Sequence, residues 1–393
     1  MKRFSLFFLL ITVVFFTFKS FPPTVARAEE SSEEVNLESE INNLIDSLDL
    51  TEFESYLSEL PNEIKGNGSI KDQLLKMLKG QTDADFTSLS EYLLNTFFIS
   101  IKQKIPTFIT LFALLLISAI VSSIKPERIG NSVYEIVHFA CFSIIVCIVV
   151  TVAYSLIAEA KDAIEKVGRV VQSVFPIMLA LMTVTGNTSA VAVYNPSMLF
   201  ITDFVVILIN KVVFPVILGM LAIGVISNVC KSIKLNGLFQ FSSSSLKWII
   251  GLIATVFSLF LTVRGLTSGI HDGISIRALK YTVNSSVPLV GGILRDGLDL
   301  ILASGLLVKN ALGGLSILVI FGTALKPIME IACVSLSLKL VNAVLEPLSD
   351  FRVTSFINSV GSVINFAIAS VIIVTLMYVI IIILAICSSQ MMF

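Results

Sequence analysis

From residue 105 onward apolar residues dominate the chain, in runs too long for strands and too continuous for surface helices. Ile105 to Ile124 and Ile136 to Ala158 each read as a membrane-spanning helix, the first flanked by Lys102, Lys104, Lys125 and Arg128. Residues 159–172 (EAKDAIEKVGRVVQ) interrupt this pattern with balanced charge and predict an amphipathic helix at the bilayer surface. Apolar regions resume at 174–194 and 198–229, the latter broken by Asn210, Lys211 and Pro215. Trp248 to Val263, Ala311 to Leu325, Met329 to Leu345 and Ile364 to Ile386 follow, with Lys326-Pro327 as a further break. The expectation is an all-α polytopic bundle of about seven spans, some of them interrupted.

The first hundred residues follow another rule. Phe4 to Phe18 form an apolar stretch behind Lys2 and Arg3, and Ala26-Arg27-Ala28 supplies small residues after it, so residues 1–28 read as a secretory signal. Residues 29–103 then read as a small exported helical domain. Val35, Leu37, Ile41, Leu44, Ile45 and Leu48 have helical spacing, and Thr51 with Glu54, Ser69 with Asp72 and Ser88 with Glu91 fit helix-start boxes. Gly80 is a helix stop, and Pro61 and Gly66-Asn67-Gly68 mark turns. The narrow apolar faces call for packing against a partner or the membrane part; the competing reading is a solvated acidic spacer.

Composition agrees with this division. Charged residues are 14% and apolar residues 55% of the 393, with mean hydropathy +0.92, whereas a soluble domain carries about 25% charge. The net charge of −1 conceals opposite halves: residues 29–100 hold 16 acidic and 4 basic side chains, and the remainder is basic. An exported N-terminus would send the first span inward and place Lys125 and Arg128 in the cytoplasm. The five cysteines lie in or beside apolar runs with no CxxC, which speaks against disulfides and metal sites.

One segment departs from the apolar background. Between Arg264 and Asn310 the chain carries Gly265, Gly269 and Gly273 at every fourth position, and scatters Arg277, Lys280, Asp296, Asp299 and Lys309 among them. Charges at membrane depth cost several kcal/mol unless they face protein or water, so this segment is the candidate functional centre. The glycine row suits close helix packing or, alternatively, a flexible loop. Asp203, Lys211, Lys326 and Glu330 are further ionisable residues at membrane depth, readable as interior ion pairs or as a hydrated path.

A faint internal repeat runs beside these features. Pro176 and Pro215 are 39 residues apart, as are Pro288 and Pro327, so residues 174–263 roughly match 286–375. That pattern fits two bundles of discontinuous helices or ordinary proline kinks. There is no GxxxxGK[ST], HExxH or strand-borne GxSxG, so neither an enzyme nor a bound cofactor is expected, and His138 and His271 are the sole histidines.

Several of these residues together resemble a known family. Lys280-Tyr281, Asn284, Pro288 with Gly291-Gly292, Leu294, Asp296, Asp299 and Leu306-Leu307-x-Lys309-Asn310-Ala311 are similar to the signature region of the stage III sporulation protein AE family. Tyr56-Leu57-x-Glu59-Leu60, the run Ile70 to Gly80 and Leu345-Glu346-Pro347-Leu348-Ser349-Asp350 resemble it too. The resemblance implies a multi-pass membrane subunit made in the mother cell of endospore-forming bacteria, in the membrane around the forespore. It implies a secretion-like channel between the two cells, with sister membrane subunits of one operon and a separate cytoplasmic ATPase as partners, and no nucleic acid. The acidic domain would project into the intermembrane space, and the resemblance carries no catalytic residues. A secondary transporter with its own substrate site, or a scaffold that recruits partners through the acidic arm, are the alternatives.

Overall fold

The computed structural model describes residues 32–60, 68–78, 86–123, 131–185, 200–229, 235–267, 291–345 and 351–387. Among these residues the chain is helical throughout, with no strand. Three short helices come first, α1 (Ser32–Ser47), α2 (Thr51–Ser58) and α3 (Ile70–Leu78). Six long ones follow: α4 (Phe86–Ser123), α5 (Asn131–Val184), α6 (Phe200–Val229), α7 (Asn236–Thr267), α8 (Gly291–Leu345) and α9 (Phe351–Cys387).

The local chemistry explains the short helices. Ser69 and Asp72 form the expected box: Ser69 donates from N and Oγ to Asp72 Oδ2 at 3.0 and 2.9 Å, and Asp72 N donates to Ser69 Oγ. Gly68 precedes it at φ 122°, a left-handed conformation that favours glycine. At α2 the expected Thr51–Glu54 box is replaced by a contact two residues upstream, where Asp49 Oδ1 accepts from Thr51 N and Thr51 Oγ1. Ile41, Ile45, Phe53, Leu57, Ile70 and Leu74 are buried, and this small core is continuous with the large one. Helices α1 and α3 pack on α8, and α2 packs on α5. The expectation that these helices seek a partner surface is met within the chain.

The membrane part is longer-jointed than its polar breaks predict. Residues 136–158, 159–172 and the start of the next apolar run, to Val184, form one helix, α5, which passes through Pro176. The break at Lys326-Pro327 is likewise inside continuous α8. Proline removes one backbone donor, but neighbouring packed helices can hold the kinked geometry, so the helix need not stop. At Pro215 the accommodation is visible: residues Ile209–Val213 widen into a π-turn, and Phe214 N reaches Ile209 O five residues back. Five helices among the described residues are long and apolar enough to cross a membrane.

Side-chain contacts fix how the long helices run. Asn342–Asn358 and Ser335–Asn365 hydrogen bonds, at 3.2 and 3.1 Å, make α8 and α9 antiparallel. Gly305 meets Val184 and Thr185, and Gly313 meets Met178, so α5 also opposes α8. Phe142 stands edge-on to Phe356 at 6.0 Å and Gly168 faces Tyr378, so α5 and α9 are parallel. Gly224 faces Ser359 while Val205 lies beside Tyr378, so α6 opposes α9; α7 lies outermost, against α6. The apolar windows of α8 and α9 are 72% and 67% buried and that of α7 only 17%, which makes α8–α9 the hub and α7 the periphery.

Candidate functional site

Of the residues singled out in the sequence, Lys309 is the one the fold treats most distinctively. It lies on α8 with a side chain wholly inside the protein. Its ammonium donates to Ala385 O at 3.2 Å and Ile386 O at 2.8 Å, carbonyls of the last turn of α9. Those carbonyls point along the helix axis toward its negative end, so a buried ammonium there is held by the backbone. Cys387 lies beside it, and the neighbouring Asn310 Oδ1 is buried without a hydrogen-bond partner. One turn on, Gly313 lets α9 approach: a Cβ there would stand 2.5 Å from Ile386 Cγ1.

The rest of the predicted centre is distributed. Arg264 and Gly265 close α7, and Asp296 and Asp299 lie in the first turns of α8. Gly269, Gly273, Arg277, Lys280 and Pro288 fall outside the described residues, as do residues 1–28.

A second polar cluster joins three helices. Glu159 of α5 has Glu330 of α8 and Lys104 of α4 as its charged neighbours. Ser155 Oγ is 3.5 Å from Glu159 Oε1, and Glu159 Oε2 is buried with no donor. Beside this cluster a cavity of about 220 Å³ opens between α4 and α5, lined by Lys104, Thr151 and Ser155 on its polar side and Phe108, Leu156 and Val334 on its apolar side. Sequence reading named these residues separately, Lys104 as a flank and Glu330 as an ion-pair candidate. Their sequence separations hold no periodic signal; α5, running antiparallel to both α4 and α8, brings them together. Asp203 gains a partner of its own, accepting from Gln172 Nε2 at 3.1 Å.

Neither cluster has the nucleophile–base or metal-ligand geometry of a catalytic centre, and no group of three metal-binding side chains exists among the described residues. What both do is join helices at depth. The family model of stage III sporulation protein AE matches residues 69–389. A curated relative, stage III sporulation protein AE of Bacillus subtilis (strain 168), is 20% identical over 381 residues, covering 96% of each chain. No solved structure matches the chain. The chain belongs to the stage III sporulation protein AE family.

Proposed function

From that membership we propose that the chain is a membrane subunit of a secretion-like channel complex that joins mother cell and forespore during sporulation. It would sit in the mother-cell membrane surrounding the forespore, with α1–α3 on the extracytoplasmic side. Its partners would be sister membrane subunits of the same operon and a separate cytoplasmic ATPase, since the sequence holds no nucleotide-binding motif of its own. The observation that carries this reading is the family match, which runs from α3 to the end of α9 and so takes in the whole helical bundle. The seating of α1–α3 on α5 and α8 supports it, because it gives the membrane part a charged head for neighbouring subunits.

The test is affinity purification of the tagged chain from sporulating cells, intact and with residues 35–90 deleted. The intact chain should bring down sister membrane subunits and the deleted chain should lose them, with spore formation lost as well. Recovery of no other membrane protein with the intact chain would refute the complex. Saturable, gradient-coupled uptake by the purified chain in liposomes would instead favour a transporter.

A further inference from the structure

The Glu159 carboxyl is poorly satisfied for a group that ordinarily carries charge. Its Oε1 accepts from Ser155 Oγ at 3.5 Å, and its Oε2 is buried without a donor. What faces it is a second carboxyl. Gly305 of α8 meets Val184 of α5 and Gly313 meets Met178, and the same register carried along both helices sets Glu330 opposite Glu159. The two side chains come within hydrogen-bonding reach of each other. Two carboxylates have no proton to share, so as full anions they repel and leave Oε2 unsatisfied. One proton on either carboxyl turns that repulsion into a hydrogen bond, and on Oε2 it makes the buried oxygen a donor.

The surroundings do not neutralise the pair in another way. Lys104 of α4 acts on Glu159, yet among the described residues it is ion-paired with neither carboxyl. Lys326, one turn before Glu330, is exposed and likewise unpaired with it. On α5 itself Glu165 takes Lys161 at 3.9 Å and Asp162 takes Lys166 at 3.4 Å. Cys333, three residues beyond Glu330, offers only a thiol, a weak donor. The Ser335–Asn365 register brings α9 in at Ser370, whose hydroxyl already donates to Phe366 O. From Val212 to Val229 α6 has no ionisable residue, and Lys211 before it is exposed. Helix α2 adds only exposed Glu52 and Glu54, and α3 meets α8 at Gly314, more than four turns from Glu330.

We infer that Glu159 and Glu330 form a proton-binding site: one proton is held between the two carboxyls and exchanges with water through the adjoining cavity. Lys104 and Ser155 belong both to the cluster and to the wall of that cavity of about 220 Å³. Thr151 beside them donates its hydroxyl to Cys147 O, so it turns acceptor lone pairs to the space. A polar-walled cavity of that size has room for several water molecules. The proton thus passes between cavity water and the pair, by way of Ser155 Oγ, with no other reactant. Carboxyls that meet away from bulk water share a proton and titrate as one unit. Its loss sets two negative charges against each other between α5 and α8, the two longest helices, so occupancy of the site and the spacing of those helices are linked. Such a site holds its proton whether or not the assembly conducts.

Infrared spectroscopy of the full-length chain in lipid nanodiscs, near neutral pH, tests the site. The wild type should show the carbonyl stretch of a protonated carboxyl that is missing from E159Q/E330Q. Either single variant, E159Q or E330Q, should lose at least about nine-tenths of that band, because the new amide donates to the remaining carboxylate and replaces the proton. No such band in the wild type, or its survival in either single variant, would overturn the shared proton. A second measurement needs no variant: dicyclohexylcarbodiimide, which attacks carboxylic acids, should modify Glu159 or Glu330 in the wild type but never both in one molecule. Peptide mapping that finds both modified together, or neither, would also refute the site. Finally, Thr151→Trp should fill the cavity and slow the deuterium shift of the band at least about tenfold; an equal rate would remove the cavity as the proton's route.

Discussion

Lys309 of α8 and Ile386 of α9 are joined side chain to main chain, the ammonium 2.8 Å from a carbonyl oxygen at the far end of the chain's last helix. A lysine wholly inside an apolar bundle needs compensation, and two helix-terminal carbonyls provide it. Lys309→Met should remove both of these hydrogen bonds, costing about 1–3 kcal/mol. Thermal unfolding in detergent would show a lowered midpoint for K309M. An unchanged midpoint would show that the carbonyls are satisfied without the lysine.

Adjacent glycines give a sharper contrast. A Cβ at Gly313 would collide with Ile386, whereas one at Gly314 meets Met77 of α3 at an ordinary 3.9 Å. Gly313→Ala should destabilise the bundle by about 1–3 kcal/mol, as overpacking does, and lower the amount of protein in the membrane. Gly314→Ala should behave as wild type in the same immunoblot and unfolding assays. Equal behaviour of the two variants would contradict the packing described at the end of α9.

Acid should loosen the head before the bundle. Hydrogen bonds from the Ser69 backbone and hydroxyl hold the Asp72 carboxyl below its usual range, and those of Thr51 do the same for Asp49. A carboxyl depressed on folding contributes stability that is present above its unfolded value, near about pH 4, and lost as pH falls through the folded one. Amide exchange in 51–58 and 70–78 should therefore accelerate below about pH 4, relative to exchange in α9. Asp72→Asn should remove that acid step from 70–78 while leaving the step at 51–58 in place.

Arg277 and Lys280 belong to the polar segment that the sequence marks as the functional centre. Their joint replacement by alanine should abolish spore formation while the protein still accumulates in the membrane. Spore counts with immunoblots of membrane fractions decide this, and normal sporulation of the double variant would remove the segment from that role.

Much of the fold was legible because it rests on local rules. The Ser69–Asp72 box, the helical spacing of Ile41 and Ile45, and the apolar spans around Ile105, Ile136 and Ile364 are properties of short windows, which a sequence exposes directly. The breaks were misleading for a related reason. Lys326-Pro327 looks like a stop when read alone, but α5 and α9 pack along α8 and carry the helix through it. At Lys309 an acidic partner is the natural expectation of a reader who sees side chains only; the acceptors found are main-chain carbonyls, which have no sequence signature. The Glu159–Glu330–Lys104 cluster depends on the register of α5 against α4 and α8, set by contacts between residues far apart in the chain.

The central position of α9 also has a bearing on how the chain is made. This helix touches α5, α6, α7 and α8, yet its 37 residues follow all four of them in synthesis. Until then α8 must wait in the bilayer with the Lys309 amine uncapped and with Gly313 and Asn342 facing no partner helix. Completion of the core thus waits for α9, and a chain that lacks it is the form most exposed to membrane quality control. A ribosome that stops short of Phe351 releases a set of spans without a centre.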